Sequence, residues 1–247
     1  MKYFPTIPRH AAGFTLIEMA IVLMIVGLLL GGLLVPLNAQ MEQRNNSDTQ
    51  KALSEIKEAI IGFALANGRL PCPADPSIAT GLANAGISRA TCTTVPDSTG
   101  VLPWATLGVN ETDAWGNRYT YRVTPYFADA IANNTYGACA PITAPTQASF
   151  ALCSVGNLDV LSAVGGTTIS GNVPAVIISH GKNSAGAYTT QGTQLPVGSN
   201  ADEQENSDGS ADNNYVSHTP TPTFDDLAVW ISPNILLNRM VTAGKLP

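Results

Sequence analysis

Glu18 is the one ionisable side chain between His10 and Glu42. It stands near the start of "GFTLIEMAIVLMIVGLLLGGLLVPL", residues 13–37. At the centre of a bilayer a carboxylate costs about 2.5–3.5 kcal/mol, and less near an end of the span. Such a group needs a reason, and one economical reason is a positively charged partner at its own depth. If the chain were cut after Gly13, the new amino terminus at Phe14 would lie at the level of this carboxylate in a neighbouring, axially shifted copy.

The other groups able to do chemistry lie after residue 70. Cys72, Cys92, Cys139 and Cys153 are an even set in the part of the chain that an N-terminal anchor would export, which favours two disulfides. Three connectivities are open, and loop entropy favours the short loops Cys72–Cys92 and Cys139–Cys153. The cysteines lack C-x-x-C spacing, so a zinc site is disfavoured. Of the histidines, His10 is near the start, His180 flanks a glycine and His218 lies among Thr and Pro. His180, Ser184 and an Asp could be assembled into a triad on paper, but turn residues are the simpler reading. No G-x-S-x-G, H-E-x-x-H or P-loop pattern is present. Asp225 and Asp226 are adjacent, and in a strand they would point to opposite faces.

These residues need elements to hold them. Met19 to Met41 is 23 uncharged residues, about 35 Å of helix at ~1.5 Å per residue, which spans a bilayer of ~30 Å. A cleaved signal peptide has an apolar core of only ~7–15 residues. Lys2 and Arg9 precede the span, which puts that side in the cytoplasm. Pro36 removes an N–H late in the span, where a kink or local melting is expected. After the polar patch "EQRNNSDTQ", Leu53, Ile56, Ile60 and Phe63 recur at helical spacing, with Ala52, Ala59 and Ala64 beside them. Asn67-Gly68 and then Pro71 end that helix.

Beyond it the chain is rich in Gly, Pro, Ser, Thr and Asn, with 12% charged residues over its whole length. That composition predicts short strands and many turns. Arg69 to Pro103 reads as a loop. In "DAWGNRYTYRV", Trp115-Gly116 turns into a strand with Arg118, Thr120 and Arg122 on one face and Tyr119, Tyr121 and Val123 on the other. Residues Ala175 to Ser179 read as a buried strand leading into a Gly-rich loop. "FDDLAVWIS" reads as a late strand with Trp230 packed inward. Ser232 and Pro233 open a last short helix carrying Ile235, Leu236, Met240 and Val241 on one face, and Gly244 ends it. Trp104, Trp115 and Trp230 are packing aromatics. The net charge of −6 and the absence of a basic stripe argue against nucleic acid as a partner.

The opening "G-F-T-L-I-E" after a short basic leader resembles the class III signal of type IV pilins and type II secretion pseudopilins. In that family a prepilin peptidase cuts after the Gly and methylates the new N-terminal Phe, and the Glu serves assembly. The resemblance assigns these roles to Gly13, Phe14 and Glu18. The "D-A-W-G-N-R-Y-T-Y" phrase is similar to a signature of the major pseudopilin. Such relatives carry an S-x-G-x-D-G loop and a later D-D-I-x-x-W that bind calcium. Here the loop is Ser179-His180-Gly181-Lys182-Asn183-Ser184, so Asn183 stands where the ligating Asp would be, and Asp225 or Asp226 supplies the second carboxylate. Asn183 lacks the charge and Lys182 adds a repulsive one. The acidic stretch with Asp202, Glu203, Glu205, Asp208 and Asp212 offers substitute ligands.

The resemblance implies an α+β, pilin-like fold: a long N-terminal α-helix packed against a small antiparallel β-sheet with disulfide-bonded loops. The expected division is 1–13 leader, 14–41 transmembrane and filament-core helix, 42–67 amphipathic half of the helix and 68–247 globular head. The expected function is structural: a minor pilin or pseudopilin, held in the bacterial inner membrane with its head in the periplasm, then assembled into a filament. Its partners would be prepilin peptidase, other pilin or pseudopilin subunits and the inner-membrane assembly platform. A pilin-anchored adhesion module, a major pseudopilin-like subunit and a membrane-tethered enzyme are the alternatives. Calcium is the one cofactor that the resemblance suggests.

Overall fold

The structure is a computed structural model that describes residues 13–131, 147–208 and 212–246, except for the side chains of 30–37. The chain divides into two compact units, Met1–Arg44 and Asn45–Pro247. Helix α1, Leu16–Asn67, contributes to both.

Within the first unit α1 is apolar, with Glu18 in its first turn. The helix continues through Pro36, where the sequence predicts loosening. Among the described residues no helix is long and apolar enough to cross a membrane. The side chains of 30–37, inside the apolar run, are not among them.

The second unit is built on the last part of α1. Leu53, Ile56, Ile60, Ile61 and Ala64 are buried, and Phe63 is half-buried. The buried stripe is thus rotated slightly from the predicted one and takes in Ile61. The helix ends at Asn67 because Gly68 adopts φ +70°, and a Cβ there would lie 2.0 Å from the carbonyl oxygen of Gln147. Only glycine fits that left-handed, crowded position.

The remaining elements are β1 Thr99–Val101, α2 Trp104–Leu107, β2 Thr120–Val123, α3 Pro125–Ala128, β3 Leu158–Leu161, β4 Thr168–Val173, β5 Ala175–Ser179, α4 Ala201–Ser207, β6 Asn214–Val216, β7 Leu227–Trp230 and α5 Pro233–Thr242. Strands β1-β2-β5-β7 form an antiparallel sheet in that order. This is the expected α+β arrangement of a helix on an antiparallel sheet. Tyr119, Tyr121, Val123, Ala175 and Ile177 join the helix stripe in one core, along with Ile231, Leu236 and Met240.

A second, three-stranded sheet, β4-β3-β6, was not expected. Its β3 pairs antiparallel with β4, with register shifts, and parallel with β6. Leu158, Val160, Val173 and Tyr215 cluster with Val176 and Ile178 from the other face of β5. The first sheet is therefore covered on both faces, and all four residues of β2 are buried. The predicted two-faced alternation is present, but its polar face is not a solvent face. Arg118 and Arg122 are fully buried there. Arg118 donates to Glu111 Oε1 at 2.8 Å, Pro76 O at 3.0 Å and Thr190 O at 3.1 Å, and lies over the Trp104 ring. Arg122 donates to Val95 O at 2.8 Å and Asn213 Oδ1 at 3.2 Å. These guanidinium groups tie several loops to one strand, a role that their five-donor fork serves well.

The loop from Arg69 ends at β1, earlier than expected, and is closed by the Cys72–Cys92 disulfide, with 5.7 Å between Cα atoms. Cys153 is disulfide-bonded, and Cys139 lies outside the described residues. In α5, Leu236 and Met240 are buried while Ile235 and Val241 are largely exposed, so the apolar face is narrower than predicted. Ser232 occupies the N-cap position, but its side chain makes no capping bond. Pro233 at the first turn and Gly244 at φ +70° bound the helix.

Candidate functional site

Two regions hold the sequence-predicted site residues, one in each unit. In the first, Thr15 precedes α1 and Glu18 lies in its first turn. Glu18 Oε2 accepts from Thr15 N at 2.8 Å and from Thr15 Oγ1 at 2.8 Å. Glu18 N faces Thr15 Oγ1 at 3.3 Å. This is a capping box: a Thr at the N-cap and a Glu three residues on satisfy each other's backbone donors. The T-x-x-E spacing that makes it is present in the sequence at Thr15 and Glu18. The carboxylate thus has a defined place beside Phe14, at the end of the helix where anions are stabilised. Gly13 and Phe14 are exposed, and among the described residues nothing lies within 4 Å of a Cβ built on Gly13.

Residues 8–34 match the prokaryotic N-terminal methylation motif. The match supports a substrate of prepilin peptidase of the type IV pilin or pseudopilin kind. Gly13, Phe14, Thr15 and Glu18 all fall within the matched segment. No curated protein and no solved structure matches the chain. The methylation motif therefore informs the first unit, and the head rests on its own geometry.

In the head, the loop after β5 lies against the segment entering β7. Gly181 has φ +57°, and a Cβ there would come within 2.3 Å of the Asp225 carbonyl oxygen. Asn183 N donates to Asp225 Oδ2 at 2.9 Å. The Asn183 side chain donates from Nδ2 to Glu203 Oε1 at 2.7 Å and accepts the Ala185 N–H on Oδ1 at 2.9 Å. Glu203 is placed by the start of α4, where the Asn200 side chain accepts from Asp202 N and Glu203 N. Glu203, Asp225 and Asp226 bring one carboxylate oxygen each within 4.8 Å of one another. Asp225 and Asp226 precede β7 and are not part of it, so strand alternation does not separate them as predicted.

The donor set is of the kind that calcium takes. That ion takes several hard oxygen ligands, and Glu203, Asp225 and Asp226 supply three carboxylates. Asp225 Oδ1 and Asp226 Oδ1 are buried without a hydrogen-bond partner. Asn183 takes part in the cluster as a hydrogen-bond donor, with its own oxygen engaged by the backbone. The ligand set that fits is thus Glu203 with the two aspartates. Burial pushes the Asp225 carboxyl above its ordinary range; the Asn183 N–H opposes this shift and the neighbouring Glu203 adds to it.

Beneath this cluster runs a buried polar line. Thr120 Oγ1 lies 2.8 Å from His180 Nε2, and His180 Nδ1 lies 3.6 Å from Asp226 Oδ1. Asp226 Oδ2 accepts from Asn206 Nδ2 at 2.8 Å. Hydroxyl, imidazole and carboxylate follow the order of a nucleophilic triad. However, the second contact is longer than a hydrogen bond, and both His180 and Asp226 are fully buried. Their evident work is to join β2, β5 and the segment before β7. His180, predicted as a turn residue, is a core residue. Ser184 binds Asn117 Nδ2 at 2.6 Å, away from that line.

Asp113, from the "D-A-W-G-N" phrase, closes its own turn. Its Oδ1 accepts from Trp115 N and Asn117 N, both at 3.0 Å, and its Oδ2 accepts from Ser179 Oγ at 2.6 Å. Burial still pushes its carboxyl above the ordinary range, against those three hydrogen bonds.

Proposed function

We propose that the chain is a structural subunit, of the minor pilin or pseudopilin kind, that is cut between Gly13 and Phe14 and methylated on Phe14. It is held in the inner membrane by residues 14–41 until it assembles into a type IV pilus or a type II secretion pseudopilus. The observation that carries this reading is the placement of Glu18 inside the matched methylation motif, fixed by Thr15 at the mouth of an apolar helix. In a filament the Glu18 carboxylate meets the Phe14 amine of a neighbouring copy, and each neutralises the other away from water. The minor role rests on the long loops of the head and its four cysteines.

The test is expression with and without a prepilin peptidase, followed by mechanical shearing of the cells. A processed chain in the sheared fraction, dependent on the peptidase and lost with Glu18→Ala, is the expected result. Processing that is indifferent to the peptidase contradicts the reading.

The unpartnered, buried oxygens of Asp225 and Asp226 support a second reading for the head: a calcium ion held by Glu203, Asp225 and Asp226 pins the loop after β5 to the start of α4. Full-length protein should then melt higher with calcium than with a chelator, and Glu203→Gln should abolish the difference. Equal melting under both conditions removes this reading.

A further inference from the structure

We propose that the free edge of β7 docks the β4 edge of a second copy of this chain, so that neighbouring heads join strand to strand. This inference rests on the assembly reading and adds to it a contact between heads.

Among the described residues β7 pairs only with β5, at the end of its sheet. The register fixes which of its backbone groups point outward. Ile231 N donates to Ala175 O at 2.9 Å. Bonded residues alternate along an antiparallel pair, so Val229 and Leu227 bond to Ile177 and Ser179. Ala228 and Trp230 therefore turn their N–H and C=O groups away from β5. Among the described residues nothing pairs with their backbone on that side. An open groove of about 550 Å³ runs along residues 226–229, walled by Gln50 and Leu53 of α1 and by the loop from Ser217 to Pro220. Donors and acceptors spaced along an edge in this way are met by another extended backbone.

The other edges point to the occupant. Among the described residues the head has four sheet edges, and two are closed from within. Val101 of β1 exchanges both backbone bonds with Ala74, at 2.9 and 3.3 Å. Val216 of β6 donates to Asn206 Oδ1 at 2.8 Å and accepts from Asn206 Nδ2 at 3.0 Å, so a side-chain amide takes the place of a strand. β7 and β4 have no such cover among the described residues, and neither carries a charge or a proline of the kind that keeps a lone edge from pairing. β4 is the longer of the two, with Ile169 half exposed. A filament repeats one contact between two different patches of the same molecule. Two unlike open edges on one head are such a pair. The groove at β7 is also continuous with α1, the helix through which the assembly reading joins the copies.

The experiment compares the full chain in sheared filaments and in detergent extracts of the membrane by hydrogen exchange. In the extract the outward amides of the 226–231 peptide should exchange fast, and in filaments they should slow about tenfold or more, together with amides of the 168–173 peptide. Ala228→Pro removes an outward N–H and no bond to β5, a place where an edge strand tolerates proline. It should keep the melting temperature of the extract and cut filament recovery about tenfold or more. A benzophenone side chain at position 169 leaves β7 untouched and should cross-link, in filaments, to the 226–231 peptide of another copy. Absence of the wild-type chain from sheared filaments fails the assembly reading and this proposal with it. Filaments in which the 226–231 amides exchange as fast as in the extract, or in which position 169 cross-links elsewhere, fail this proposal alone. Outward amides already slow in the extract would show that the chain covers its own edge, and they overturn the proposal, as does wild-type filament recovery of Ala228→Pro.

Discussion

Glu18 and Thr15 close on each other at the mouth of α1, with both Thr15 donors on one carboxylate oxygen at 2.8 Å. A carboxylate left loose in an apolar helix would sample many rotamers. This one is held near the residue that becomes the amino terminus after the proposed cut, so Thr15 acts as a positioning residue for Glu18.

Removing the charge and removing the clamp should therefore differ. Glu18→Gln is expected to leave cleavage and membrane insertion intact and to abolish recovery in sheared filaments. Thr15→Val keeps the charge but loses the hydroxyl bond, and recovery should fall without vanishing. Immunoblots of membrane and sheared fractions measure both. Wild-type recovery of Glu18→Gln would contradict the role given to that carboxylate.

The Cys72–Cys92 bridge spans 20 residues. Chain-entropy arguments put its contribution at about 3 kcal/mol. A Cys72→Ser, Cys92→Ser double variant should lose about that much in denaturant unfolding of the full chain. An unchanged midpoint would show that the Arg69–Val101 segment is held by its hydrogen bonds alone.

The two isoleucines at the centre of the α1 stripe test the packing. Ile60→Ala and Ile61→Ala each open a cavity in the main core, and each should cost about 2–5 kcal/mol. Lys57→Ala, off the stripe, should cost less than ~0.5 kcal/mol. If Ile61→Ala proves as mild as Lys57→Ala, the helix is rotated from the position described.

Asp113 gives a pH signature with a definite sign. Its folded carboxyl titrates above the ordinary value of 3.8 because burial disfavours the charge. The folded state then holds a proton more tightly than the unfolded state. Its contribution to stability is fully present below 3.8 and is lost as pH rises through the folded value. Asp113→Asn keeps an oxygen for the Trp115 and Asn117 N–H groups and carries no charge. It should melt above wild type at pH 7, and the gap should close as pH falls. A gap independent of pH would place the effect elsewhere.

Much of the fold follows from local signals. Asn67-Gly68, Ser232-Pro233 and Gly244 mark helix ends because they act on the backbone next to them. The run Ala175 to Ser179 marks a buried strand because its first four residues are apolar. The second sheet left no such trace. Its strands are three to six residues long, and in β4 only Val173 is buried. The burial of Arg118 and Arg122 is not legible locally, because acceptors that hold them are carbonyls of distant loops, at Pro76, Thr190 and Val95. The carboxylate cluster was legible in part: Asp225 and Asp226 stood out, while Glu203 was one of five acidic residues offered as substitute ligands and is singled out only by the fold of α4. Asn183 was read by its position in a motif, and its hydrogen bonds give it a donor's role.

The most direct measurement is the mass of the N-terminal peptide of the mature protein isolated from membranes. The account expects a chain that begins at Phe14 and carries one added methyl group on its amine. An intact Met1 terminus, or a cut beyond Leu37, would contradict it.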